Sequence, residues 1–160
     1  MAVPERKIEV NWAAQKGDFE ADGSLRDIYV QETTVDDWAK VLKFLERSRH
    51  EFRLTRGATE IILPEDVGEL FLERNPDGAL LVFLVAGVEL ACHFFTTSEI
   101  EFDFYPNSVG ESELRALLNV MADLGEITGK TVVMTPENMQ DAAFFKYEPT
   151  TGRVVWIPLR

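Results

Sequence analysis

The sequence predicts an α+β domain built on a largely antiparallel sheet, with two main helices and two short ones. Three observations carry this. Stretches that alternate apolar and polar residues recur along the chain, Glu99-Ile100-Glu101-Phe102-Asp103-Phe104 being the clearest. Two longer segments repeat apolar residues at three- and four-residue spacing, the period of a half-buried helix. Several strand-like stretches follow one another across tight turns, which favours antiparallel neighbours over alternating strand and crossover helix. The chain has 160 residues, 46% of them hydrophobic, with 11 Phe and three Trp, so 1–160 reads as one domain with a substantial core.

Taken in order, Lys7 to Trp12 alternates Ile8, Val10 and Trp12 with polar residues and predicts a strand. A polar stretch from Gln15 to Ser24 follows, with Asp22-Gly23 as a turn, and Arg26 to Gln31 predicts a second strand carrying Ile28 and Val30. Thr34 with Asp37 three residues on is a capping pair. It opens a helix whose buried stripe is Val35, Trp38, Val41, Leu42 and Leu45, ending near Arg49. Phe52–Thr55 and Glu60–Leu63 predict short strands around Arg56-Gly57. Pro64-Glu65-Asp66 opens a short helix through Leu70, Phe71 and Leu72. Asn75-Pro76-Asp77-Gly78 is a turn, after which Leu80–Val85, Val88–Phe95 and Glu99–Tyr105 form a meander. A second long helix runs from about Glu111 to Leu124 on Leu114, Leu117, Leu118, Met121 and Leu124. Thr131–Met134 is a strand, Thr135-Pro136-Glu137 starts a short helix, and Phe145–Glu148 with Val154–Ile157 closes the chain as a hairpin.

The chemistry concentrates on the meander. Side chains on a strand alternate between faces, so Glu99, Glu101 and Asp103 point one way and Ile100, Phe102 and Phe104 the other. A three-residue loop at Thr96-Thr97-Ser98 sets His93 opposite Glu101, so that Glu89, His93, Glu99, Glu101 and Asp103 share a face with Leu80, Val82 and Leu84. An apolar centre beside a charged rim suits a protein-binding surface, with Tyr105 as an aromatic anchor. The alternative is that one of the long helices covers Leu80, Val82 and Leu84 and leaves the acids as a solvated margin. His93 opposite an acid has two readings, a proton carrier or a group that relieves repulsion within the stripe, and the second is the simpler.

Charge and motif census exclude several classes. With 28 Asp+Glu against 16 Lys+Arg, a net charge of -12, the chain lacks the positive footprint that direct binding to nucleic acid or an anionic membrane needs, and suits a basic protein. The single Cys92 sits on the apolar side of its strand as a buried structural thiol, so internal disulfides are excluded. The N-terminus is not a secretory signal, and the run from Ala79 to Ala91 is too short to span a bilayer, so the expected location is the cytoplasm. No dinucleotide, phosphate-loop, zinc-protease, paired-cysteine or nucleophile-elbow motif occurs, so no catalytic residue and no cofactor are assigned. A metal site is not assigned either, because carboxylates two apart on one strand stand about 6–7 Å from each other and a compact shell draws on several elements.

Asp22-Gly23-Ser24-Leu25-Arg26-Asp27-Ile28-Tyr29-Val30, Trp38 in the helix that follows, and Thr135-Pro136-Glu137-Asn138 before the final hairpin carry a resemblance. The chain resembles small acidic bacterial proteins similar in type to immunity proteins encoded beside secreted toxins. That resemblance implies a non-enzymatic domain that inhibits a toxin stoichiometrically, its acids docking on a cationic site, and it carries no catalytic residues. Two other functions stay open: a small acyltransferase-like enzyme or ligand-binding domain, and a nucleic-acid mimic acting on a DNA-binding protein.

Overall fold

The computed structural model of the chain describes residues 6–71, 74 and 77–158. It contains the strands β1 (Arg26–Val30), β2 (Phe52–Arg56), β3 (Thr59–Glu60), β4 (Leu80–Val85), β5 (Val88–His93), β6 (Ile100–Phe104), β7 (Val132–Pro136), β8 (Phe145–Glu148) and β9 (Arg153–Trp156). The helices are α1 (Trp12–Gln15), α2 (Val35–Arg47) and α3 (Glu111–Thr128). Among the described residues the nine strands form one sheet in the order β3-β2-β4-β5-β6-β1-β7-β8-β9, and every neighbouring pair is antiparallel. The α+β class holds, with α2 and α3 as its two main helices.

Local chemistry explains the elements that agree with expectation. Thr34 Oγ1 accepts the Asp37 N–H at 3.3 Å while Asp37 Oδ2 accepts the Thr34 N–H at 2.9 Å, so the first turn of α2 is capped reciprocally. Ala86 and Gly87 both take positive φ, 51° and 83°, the backbone that a two-residue hairpin turn requires. The β4–β5–β6 meander forms in the expected register, with Ala91 opposite Asp103 and Cys92 opposite Phe102. α3 runs four residues beyond Leu124 to Thr128, where Gly129 ends it in the left-handed region at φ 69°.

Other expectations are corrected. Residues 6–11 form no strand. Asn11 instead caps α1, and Arg115 and Arg6 hold the segment to α3 through Ile8 O at 2.7 Å, Asn119 O at 3.0 Å and Asp123 at 2.8 Å. The short helix expected after Pro64 is one 3-10 turn, Val67–Leu70, capped by Asp66, and Leu72 lies outside the described residues, as do Asn75 and Pro76 of the expected turn. The strand expected at Glu60–Leu63 shrinks to Thr59–Glu60, followed by one bond from Ile61 N–H to Leu54 O. No helix starts at Thr135: β7 continues through Pro136, because Arg26 and Asp27 of β1 pair with Pro136 and Thr135 and hold them extended.

The core lies between the sheet and the two long helices. α3 packs on β1, β4, β7, β8 and β9 and against α2. Gly125 of α3 touches the ring of Tyr147 so closely that no side chain fits there. Trp38 is buried against Phe71 and Phe94, ring centroids 5.0 and 5.1 Å away, and its indole N–H donates to Thr97 O at 3.1 Å. Among the described residues no helix is long and apolar enough to cross a membrane.

Candidate binding face

Strand alternation and register together lay out the second face of the sheet. In β4, Leu81, Phe83 and Val85 are buried beneath the helices while Leu80, Val82 and Leu84 are half-buried on the other side. The long helices share the core with the opposite side of β4, through Leu81, Phe83 and Val85. Because neighbouring strands are about 4.8 Å apart, each register line reads as a row of side chains. One row is Glu51, Leu84, Glu89, the first two joined by Leu84 N–H to Glu51 O at 3.0 Å. The next is Arg53, Val82, Ala91, Asp103, Asp27, Thr135. A third runs from Thr55 through Leu80 to His93, and across β6 and β1 Glu101 faces Tyr29.

This face changes character along its width. Over β2, β4 and β5 it is open: Glu89 and His93 are exposed, and His93 stacks on the exposed Phe95 ring at 5.1 Å. Toward β1 and β7 it closes, with Asp27, Tyr29, Val133 and Thr135 between 0% and 3% exposed. The turn after β7 helps to close it. Asn138, at φ 58°, donates its backbone N–H to Asp27 Oδ2 at 2.7 Å, and Glu137 Oε1 accepts the Leu25 N–H at 2.7 Å. Glu137 therefore secures the end of β1 rather than opening a helix.

Where the open and closed halves meet, the acids crowd. Tyr29 OH donates to Asp27 Oδ2 at 2.8 Å and lies 3.5 Å from Glu101 Oε1. One side-chain oxygen from each of Asp27, Glu101 and Asp103 lies within 4.8 Å of the other two. Glu101 and Asp103, two apart on β6, thus bring side-chain oxygens closer than the about 6–7 Å expected for such a pair, and β1 adds the third carboxylate. Burial, and then the charges of Asp27, Glu99 and Asp103, push the Glu101 carboxyl up to about 7. Burial raises Asp27 against the pull of its two hydrogen bonds, and raises Asp103 against the pull of His93. Burial and the bond to Asp27 raise the Tyr29 hydroxyl as well. By donor type the cluster suits a hard cation or shared protons. No buried side-chain polar atom among the described residues lacks a hydrogen-bond partner. Cys92 is buried in the core, and burial pushes its thiol up.

Of the residues singled out from sequence, the structure brings Glu89, His93, Glu101 and Asp103 to one face of β5 and β6, with Glu99 just before β6 and its charge acting on Glu101. Tyr105, 67% exposed, follows the end of β6. Asp27 and Tyr29 escape a reading confined to the meander. Their alternation with Ile28 and Val30 is visible in the sequence, but their place beside β6 depends on a pairing of segments more than 70 residues apart, such as Tyr29 with Glu101. Glu51 and Arg53 escape it because β2 lies outside the meander and joins this face by pairing with β4, and Glu60 because it reaches the face only through β2.

No protein-family model and no curated protein matches this chain. A chain from the crystal structure of the toxic C-terminal tip of CdiA from Pseudomonas aeruginosa in complex with immune protein is similar to it in shape. The TM-score is 0.46 at 13% identity, over 77% of this chain and 94% of that one.

Proposed function

We propose that this chain is a non-enzymatic, cytoplasmic binding domain that docks its helix-free sheet face on a basic protein, as an immunity-type inhibitor does on a toxin. One observation carries the reading: half-buried Leu80, Val82 and Leu84 share an uncovered face with Glu89, Glu99, Glu101 and Asp103, in a chain of net charge -12. An apolar patch slows dissociation while the surrounding charge steers a cationic partner and speeds encounter.

The test couples capture to rescue. The purified chain, offered a native lysate at low and high salt, is expected to retain a basic protein that leaves as salt rises. That protein, expressed alone, should arrest growth, and co-expression of this chain should restore it. A Glu101→Lys/Asp103→Lys variant should keep its circular-dichroism spectrum and lose both capture and rescue. A captured protein that is harmless alone, or rescue that survives the charge reversal, overturns the proposal.

A further inference from the structure

On the same face, at the side away from the carboxyl cluster, a cleft of about 420 Å³ is lined by Glu51, Phe52, Arg53, Glu60, Val82, Leu84 and Glu89. We infer that this cleft is the anchor of the docking face and receives a lysine or arginine side chain presented by a basic protein, the aliphatic stem lying on Val82 and Leu84 and the cationic head between Glu51 and Glu89. The inference rests on the docking reading and assigns it a place and a chemistry.

The rows of the sheet supply the geometry. Glu51 and Glu89 flank Leu84 on the two neighbouring strands, so their backbones stand roughly 10 Å apart with an apolar side chain between them. Glu60, opposite Thr55, adds a third carboxylate on the same side. Against these three the lining holds one cation, Arg53, opposite Val82. Among the described residues neither Glu51 nor Glu89 makes an ion pair or a side-chain hydrogen bond. An anion would meet net negative charge here, and a purely apolar ligand would bring three carboxylates out of water with nothing in return. A long cationic side chain satisfies both halves, since its methylenes cover apolar surface while its head remains among acids. The volume falls in the usual range for ligand sites, roughly 300–1,000 Å³, with room for such a side chain and its flanking residues.

The first experiment needs no partner. Butylguanidinium is titrated into the labelled protein, and amide and methyl shifts are followed by NMR, with guanidinium and butanol as separate controls. Saturable shifts centred on Val82, Leu84 and Glu89 are expected, larger than with either control, and weakened at least five-fold in affinity by Glu51→Gln/Glu89→Gln. Shifts centred on Glu101 and Asp103, or unchanged binding by that variant, overturn the inference.

The second experiment separates it from its parent. Glu51→Gln/Glu89→Gln should bind the captured basic protein at least ten-fold more weakly than wild type. A change under two-fold overturns the cleft as anchor and leaves the docking reading standing. If wild type captures no basic protein while butylguanidinium still saturates the cleft, the docking reading falls and a protein side chain is overturned as the occupant.

Discussion

Tyr29 and Asp27, two residues apart on β1, are joined side chain to side chain by a 2.8 Å hydrogen bond at the buried centre of an acidic cluster. The bond lies along one face of one strand, and its value comes from what surrounds it. Asp27 is 1% exposed, faces Asp103 across the ladder, and among the described residues accepts only from the Tyr29 hydroxyl and the Asn138 N–H. Removing the donor in Tyr29→Phe is expected to destabilise the protein by about 1–3 kcal/mol, read from urea unfolding. A stability equal to wild type would mean that the hydroxyl does not hold Asp27.

Asp27→Asn separates charge from burial. The amide oxygen can still accept from Tyr29 and Asn138, while the charge beside Glu101 disappears. Carboxyl titration by NMR should show the Glu101 pKa lowered from about 7 yet still above the ordinary range, because burial is the first cause of its rise and remains. An unmoved Glu101 would show that the neighbouring charge has no part in it.

The same shift makes stability depend on pH. Glu101 titrates higher in the fold, at about 7, than in the unfolded chain, at around 4.3. Its contribution is therefore fully present below the unfolded value and is lost as pH rises through about 7. Relative to Glu101→Gln, wild type should lose on the order of 1–2 kcal/mol between pH 5 and pH 8, after allowing for solvent screening of a half-buried group. Parallel stability profiles for the two proteins would contradict this.

Two predictions concern the scaffold. Gly125→Ala places a methyl inside the Tyr147 ring, and α3 must shift off β8, at an expected loss of about 1–3 kcal/mol or more. Trimming the obstacle in Gly125→Ala/Tyr147→Leu should recover part of it, measured as melting temperature.

Thr34→Ala breaks the reciprocal cap of α2 and should lose about 1 kcal/mol, whereas Thr34→Ser should lose much less, since the hydroxyl remains. Equal losses would assign the effect to the methyl rather than to the cap.

Local signals were legible wherever a residue's neighbours in sequence are also its partners in space. The Thr34–Asp37 cap, the Ala86-Gly87 turn and the pairing of β5 with β6 are of this kind. The strand expected at residues 7–12 fails because alternation shows only that one side is apolar. Ile8, Val10 and Trp12 pack against the core without pairing in the sheet. Thr135-Pro136 has the composition of a helix start, but pairing with β1 holds it extended.

The sequence by itself determined the α+β class, the two long helices, the acidic side of β6 and the negative charge of the whole chain. Each follows from side-chain period, capping chemistry or composition, which need no knowledge of distant contacts. Only the tertiary structure decided that β1 lies between β6 and β7, which joins buried Asp27 to half-buried Glu101 and Asp103 in a three-carboxylate cluster. It also decided that β2 lies beside β4, which sets Glu51 across Leu84 from Glu89. Those neighbours are chosen by burying the apolar sides of strands far apart in the chain beneath α2 and α3, and the chemistry of the opposite face follows from that choice.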